Sequence, residues 1–313
     1  MPIAAAGGWG LGEQIVADIL NSVIGGLREG SLYGLLALGT VLIYKSTGVL
    51  SLAQANIGMV ATLILYSLTS TMLPYAAAIA LSLAAAAALG LVAERLCVRP
   101  LLHAPATSGM IVTLALSGVL GVVAAQVWPG SSASPLIPPF DTASHELGGS
   151  GVYLAPLDVA TLLISALLAV LLWLFLRCTW MGLAMRATAD RLGTAPLMGI
   201  RPGRVSAVSW ILGALLATVS GILHASGLPA LQSTFMLGSL VWAVLAAALG
   251  GLTSLPGALL AGLLIGVADQ ILQLSFGPLD LSPYHQTLVF ILVVAVLLVR
   301  RRGLLGGPEL RSA

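Results

Sequence analysis

Asp, Glu, Lys and Arg are missing from residues 46–93, 100–140, 159–176, 205–268 and 281–299, and runs such as 162–172 and 291–299 are apolar on all sides. A span of about 20 apolar residues crosses a ~30 Å hydrocarbon core as a helix, so each uncharged interval holds between one and three crossings. A membrane β-barrel would instead alternate apolar and polar residues in segments of about 10. The pattern therefore predicts an all-α, polytopic helical membrane protein with about eight to ten membrane segments.

Helix one ends near residue 44. The following crossings cover 51–72, 75–96, 107–127, 157–176 and 205–226. Residues 237–274 hold two segments separated by Gly250, Gly251, Leu252, Thr253, Ser254, Leu255, Pro256 and Gly257, and a last helix covers 284–299. Two stretches are ambiguous by length. Residues 15–27, before Arg28, read as an outer amphipathic helix or as the start of a longer, tilted first crossing. Residues 237–249 are short for a full span and read alternatively as a broken or re-entrant helix, which membranes tolerate only inside protein or beside water. The expected organisation is an N-terminal segment 1–29, one transmembrane domain 30–303 and a tail 304–313, with no internal repeat.

Composition removes the soluble alternative. The 313 residues are 58% hydrophobic and 8% charged, with a mean hydropathy of +1.05, whereas soluble domains carry roughly 25% charged residues. The lipid bilayer is the expected solvent. Basic residues gather at Lys45; at Arg95 and Arg99; at Arg177, Arg186, Arg191, Arg201 and Arg204; and at Arg300, Arg301, Arg302 and Arg311. The loop 128–157 has none. The positive-inside rule puts the basic clusters and the C-terminal tail in the cytoplasm, and the loop 128–157 and the N-terminus outside. The net charge of +2 sits in short loops, so nucleic acid is not an expected partner. Cys97 and Cys178 each lie beside an arginine at a helix end and read as reduced thiols, with no metal-ligand spacing. No Lys or Arg precedes Arg28, so the positive region of a cleaved signal peptide is missing and the first helix is expected to be retained.

Catalytic chemistry is hard to find. HExxH, GxSxG and paired carboxylates at helical spacing are absent, and His103, His145, His224 and His285 read as polar groups in loops or near helix ends. A phosphate-binding P-loop needs a lysine after its glycines. The only lysine, Lys45, follows Ile43 and Tyr44, so nucleotide energy would have to come from another polypeptide. Small residues recurring every four positions, Gly213, Ala217 and Gly221 on one helix and Gly262 and Gly266 on another, mark faces where helix backbones approach closely.

The longest basic segment, 177–204, contains a short helix over 183–192 that Gly193 is suited to end, then a turn capped by Thr194 with Pro196 near its start. Leu197, Met198 and Ile200 give that turn an apolar knob. Two short helices with apolar faces and a basic rim form a docking surface.

The run Met181-Gly182-Leu183-Ala184-Met185-Arg186-Ala187-Thr188-Ala189-Asp190, followed by Leu197-Met198-Gly199-Ile200, resembles the coupling loop of the branched-chain amino-acid ABC importer permeases. Gly30-Ser31-Leu32-Tyr33-Gly34-Leu35-Leu36-Ala37-Leu38-Gly39 and Leu249-Gly250-Gly251-Leu252-Thr253-Ser254-Leu255-Pro256-Gly257-Ala258 resemble further family motifs, and the likeness covers roughly residues 27–303. It implies an inner-membrane permease subunit, without cofactors of its own, for branched-chain or other small apolar amino acids. The implied partners are a second permease subunit, a divergent sister, two ABC ATPase subunits and an extracytoplasmic substrate-binding protein. By the same resemblance the ATPases grip Gly182, Arg186, Ala187, Asp190, Leu197, Gly199 and Ile200, and Gly250, Gly251, Pro256 and Gly257 break the helix direction near the cytoplasmic face.

Ser51, Gln54 and Asn56 fall in a segment that usually reads Asn-Phe-Ala-His/Gln-Gly, from which Ser51, Leu52 and Ala55 depart. Such polar groups at the start of an apolar helix face either the substrate pathway or protein partners for hydrogen bonding. Asp269 stands where the family usually has a carboxylate, ~18 Å along the helix from Gly257 and so beyond the membrane middle. It reads as a structural pair or a proton-coupling group. A secondary transporter or channel acting without ATPases would use the second role.

Overall fold

Without water in the bilayer core each crossing must satisfy its own backbone groups, and the protein, seen in a computed structural model, is built almost wholly of helices. The structure describes residues 11–70, 73–101, 105–129, 136, 144–146, 151–190, 198–274, 282–300 and 303–305, leaving aside the side chains of residues 11–13, 106 and 190. The helices are α1 (Leu11–Thr47), α2 (Gln54–Thr69), α3 (Tyr75–Ala93), α4 (Ala106–Val127), α5 (Pro156–Cys178), α6 (Trp180–Asp190), α7 (Pro202–Ser226), α8 (Leu237–Gly250), α9 (Leu255–Leu272) and α10 (His285–Val299). Six of them, α3 with its extension to Leu101, α4, α5, α7, α9 and α10 with the turn before it, are long and apolar enough to cross a membrane.

Helix α1 is unbroken at Arg28. Its 37 residues are about 55 Å long at 1.5 Å per residue, well beyond a hydrocarbon core. Its first turns are held by the loop between α4 and α5: the Asn21 side chain donates to Gly151 O (3.0 Å) and accepts from Tyr153 N (2.8 Å). Tyr153–Leu154 pairs antiparallel with His145–Glu146. From residue 30 to 43 nearly every side chain of α1 is buried, because α5, α7, α8 and α9 surround it.

Glycine lets α1 and α9 meet backbone to backbone. Gly26, Gly30 and Gly34 of α1 meet Gly262 and Gly266 of α9 so closely that a Cβ at Gly30 would lie 2.7 Å from Leu263 Cα, and one at Gly262 would lie 2.6 Å from Gly34 Cα. The sequence pattern on α9 marks this face; its α1 counterpart has the same four-residue spacing.

Helix α2 begins at Gln54, later than the apolar pattern suggests. After Gly48, which ends α1 at φ 71, residues 49–53 run without helical structure. The Gln54 side chain then meets Leu36 and Thr40, seven to eleven residues back from the end of α1, or about 10–16 Å inside the bundle. Non-helical backbone at that depth survives because protein covers it: Val49 N donates to Thr47 Oγ1 and Leu52 N to Thr113 Oγ1. The 16 residues of α2 cover the remaining depth.

The short α8 ends in a turn at Gly251 (φ 92), and Ser254 caps α9 by accepting from Gly257 N at 3.2 Å, with Pro in the first turn. Chain after α10 closes over this turn through Leu304 N to Leu249 O (2.7 Å) and Leu305 N to Gly250 O (3.3 Å). Lys45, Arg99, Arg177, Arg186, Arg201, Arg204 and Arg300 thereby share one end of the bundle. Arg28, Glu29, Asp158, His224, Asp269 and His285 lie towards the other.

Candidate functional site

Three polar regions interrupt the apolar bundle. The first is at mid-depth, where α1, α2, α4 and α7 meet. Gln54 is 1% exposed; its Nε2 donates to Leu36 O (3.3 Å) and Gly213 O (3.1 Å), and its Oε1 accepts from Thr40 Oγ1 (3.2 Å). Gly39 gives this amide room, since a Cβ there would strike its nitrogen. Asn56 Nδ2 donates to Ser117 O and Ser117 Oγ, both at 2.7 Å. Ser51 is fully buried, and its hydroxyl has no hydrogen-bond partner among the described residues. The Gln54 and Asn56 side chains thus hydrogen-bond between helices. Thr40, Thr113 and Ser117 complete the junction.

The second region is the basic end. Thr179 interrupts the chain between α5 and α6 and caps α6, accepting from Gly182 N at 3.0 Å. The cap starts the helix at Trp180, three residues before the position expected from sequence. Gly182 itself allows the reversal: a Cβ there would lie 2.5 Å from Leu176 Cα. Ala184 and Met185 are buried with Leu35, Leu38 and Leu42 of α1, Leu172 and Leu176 of α5, and Val205 of α7; Ile200 packs against the same group. The opposite face is open. Trp180 is 78% exposed, Leu183 47% and Met198 82%, while Arg186 is exposed and Ala187 half-buried. Gly199 adopts φ 77 and, with Ile200, borders a recess of about 600 Å³ flanked by Arg99, Arg201 and Arg204. Leu197, together with the Gly193 and Thr194 turn signals, lies outside the described residues, as does the side chain of Asp190.

The third region lies towards the opposite end. Arg28 Nη1 is 3.4 Å from Asp158 Oδ1 and Arg28 Nη2 is 3.4 Å from Glu29 Oε1. His224 Nδ1 is 3.4 Å from Glu29 Oε2. Asp269, 6% exposed, accepts from His285 at 2.7 Å and from Gln273 Nε2 at 3.3 Å. This network ties α1 to α5 and α7, and α9 to α10. The sequence singles out Asp269 alone; adjacent Arg28 and Glu29 inside a long apolar helix are the signal for the rest. Among the described residues no group of three His, Cys, Asp or Glu side chains gathers as metal ligands do.

The turn containing Gly250, Gly251, Pro256 and Gly257 is real and tightly closed, with Gly250 and Gly257 backbone to backbone. It abuts the basic end, on the side of α1 that carries Lys45.

Over residues 22–297 the chain matches the family described as the permease component of branched-chain amino acid transport systems. It is 30% identical over 303 residues to the high-affinity branched-chain amino acid transport system permease protein BraD of Pseudomonas aeruginosa, covering 94% of this chain and 97% of that one. It is 31% identical over 307 residues to the corresponding protein LivH of Salmonella typhimurium, with the same coverage. A more distant similarity, 26% over 296 residues and 90% of this chain and 87% of the relative, joins it to the ribose import permease protein RbsC of Escherichia coli. These relatives are transport permeases, not enzymes. No solved structure matches the chain.

Proposed function

Because this chain belongs to the branched-chain amino acid transport permease family, a set of multi-pass inner-membrane proteins, we propose that it is the translocation subunit of an ATP-driven importer for branched-chain or other small apolar amino acids. Relatives at 30–31% identity carry amino-acid transport in their names, and the sugar importer is more distant. A second permease subunit, a divergent sister, completes the pathway; two ATPases act at the basic, cytoplasmic end; and a substrate-binding protein delivers the amino acid to the extracytoplasmic end, where the N-terminus and the loop 128–157 lie.

The two-faced character of α6 carries this reading. One face is locked into the bundle by Ala184 and Met185, so a push on the helix moves α1, α5 and α7 with it. The other presents Trp180, Leu183 and Arg186, an apolar surface with a cationic rim suited to a protein partner. By the family resemblance the ATPases also grip Gly182, Ala187, Asp190, Leu197, Gly199 and Ile200, and the recess edged by Arg99, Arg201 and Arg204 receives an acidic side chain of the ATPase. ATP-driven closure of the ATPases shifts α6, and the bundle opens alternately to the two sides. The turn at Gly250, Gly251, Pro256 and Gly257 takes up part of the change in helix direction. The polar junction of Ser51, Gln54 and Asn56 fixes where α2 enters beside the pathway.

The test uses the reconstituted complex. Trp180→Ala with Arg186→Ala is expected to abolish substrate-stimulated ATP hydrolysis and uptake while the ATPases keep their basal rate. Unchanged stimulation overturns the role of α6.

A further inference from the structure

At the end of the bundle opposite the basic one, Arg28 and Glu29 of α1, Asp158 of α5 and His224 of α7 bring both signs of charge together, their side chains 13–21% exposed. The network is loosely made. Arg28 Nη1 stands 3.4 Å from Asp158 Oδ1, Arg28 Nη2 3.4 Å from Glu29 Oε1 and His224 Nδ1 3.4 Å from Glu29 Oε2, whereas charge-assisted hydrogen bonds close to about 2.7–2.9 Å. Capacity is also left over: neither Arg28 Nε nor His224 Nδ1, both buried, has a hydrogen-bond partner among the described residues. Buried polar atoms in folded proteins are nearly always satisfied, so two idle nitrogens about one carboxylate point to a further polar group that enters here. An apolar wall stands beside the charges. The His224 ring stacks on Phe235 at 6.0 Å, and Phe235 packs against the core group that includes Ile222 and Met236.

We infer that this cluster binds the backbone end of a zwitterionic amino acid arriving from outside, its carboxylate on the free edge of Arg28, its ammonium between Glu29 and Asp158, and an aliphatic side chain along Phe235.

Only a zwitterion balances the exchange. Each internal ion pair it opens is replaced by one to the ligand: Arg28 trades the carboxylates of Glu29 and Asp158 for that of the amino acid, and those two take the ammonium. An uncharged sugar would break the same pairs and replace none of them, and a solute with one sign of charge would leave the other sign unpaired, which is the costly outcome at a part-buried site. The planar edge of a guanidinium also matches a carboxylate with two parallel N–H bonds, and Arg28 Nε is available for one of them. The inference rests on the amino-acid importer reading above and gives it a residue basis for preferring amino acids to sugars.

Two measurements test it. Thermal unfolding of the membrane complex of permeases and ATPases, without the binding protein and with millimolar leucine, leucinol or isovalerate, reads recognition by the permease itself. Leucine is expected to raise Tm, whereas leucinol, which lacks the carboxylate, and isovalerate, which lacks the ammonium, leave it unchanged. Arg28→Met with Asp158→Leu then replaces the ion pair between α1 and α5 by apolar contact, a change that buried ion pairs commonly tolerate, so a merely structural network would survive it. The variant should keep the ligand-free Tm, lose the leucine shift and, in proteoliposomes with the binding protein, take up leucine about tenfold more slowly or worse, the effect of one lost charge-assisted hydrogen bond. Should the variant unfold, the comparison of the three ligands on the unaltered complex decides alone. A missing leucine shift, an equal shift with leucinol or isovalerate, or unchanged leucine uptake by the variant overturns the inference and leaves the importer reading standing. An unaltered complex that takes up no amino acid overturns both.

Discussion

Two glycines five residues apart on α1 should respond to alanine with opposite signs. A Cβ at Gly30 would fall 2.7 Å from Leu263 Cα, 2.8 Å from Gly262 O and 2.9 Å from Leu263 O. All three are backbone atoms, so no rotamer change can relieve the overlap. Non-bonded carbons rest at about 3.5–4.0 Å, so α1 and α9 must part by about 1 Å there. Overpacking of this kind costs about 1–3 kcal/mol, against about 0.5–1 kcal/mol returned by replacing a helical glycine with alanine. The net expectation for Gly30→Ala is a loss of about 1–2 kcal/mol, from the difference of those terms. At Gly25 the nearest atoms are Gln270 Cδ and Oε1 at 3.8 Å, an ordinary contact. Only the helical gain remains, and Gly25→Ala should stabilise by about 0.5–1 kcal/mol. Unfolding of the purified chain in mixed micelles on titration with sodium dodecyl sulfate measures both. Gly30→Ala at or above wild-type stability, or Gly25→Ala falling as far as Gly30→Ala, would refute backbone contact as the basis of the α1–α9 seam.

Three further outcomes are expected. Gln54→Ala removes a buried amide that joins α1, α2 and α7 and deprives Leu36 O and Gly213 O of its donor, with a loss of about 1–3 kcal/mol; the same unfolding titration reads it, and wild-type stability would contradict the junction. Thr179→Val deletes the cap on α6, worth about 1 kcal/mol, and should weaken substrate stimulation of the ATPases while leaving their basal rate alone; unaltered stimulation would show that α6 order does not limit coupling. Asp269→Asn keeps an oxygen acceptor near His285 and Gln273 but has no transferable proton, so ATP-driven uptake should persist in proteoliposomes whether or not a proton gradient is imposed. Uptake that vanished in folded Asp269→Asn protein would revive the proton-coupling role.

The helical architecture was legible because hydrocarbon leaves the backbone few choices: uninterrupted apolar stretches and the arginine clusters mark α3, α4, α5, α7, α9 and α10 to within a few residues. What escaped is long-range. Nothing local to residues 49–53 says that they enter the bundle unwound, because their backbone is satisfied by Thr113, some sixty residues away. The network of Arg28, Glu29, Asp158 and His224 likewise joins residues 130 apart and more. The longer first helix was one of two readings of residues 15–27, but the contact of Asn21 with Gly151 and Tyr153, far along the chain, was not legible. By contrast, α6 was readable as a short helix because its signals, small residues, a basic rim and apolar positions, lie within one turn or two of one another.

The polar groups at mid-depth bear on where a substrate can pass. Gln54, Asn56, Ser82 and Ser220 all donate to carbonyls or hydroxyls within this one chain. A zwitterionic amino acid threading between these helices would have to break those bonds, each costing about 1–3 kcal/mol if left unmade. The outward faces of α4, α5 and α10, meanwhile, carry exposed Ile111, Leu114, Leu163, Leu167, Ile291 and Leu292, which only lipid or another membrane subunit can cover. With the second permease subunit proposed above covering those faces, a conduit along the seam between the two chains would leave the Gln54 and Asn56 bonds intact. Substituting cysteine on the exposed face of α5, at Leu163 or Leu167, separates the cases: crosslinking to the sister permease that blocks uptake supports the seam, and free transport with either position accessible only to lipid-phase reagents removes α5 from it.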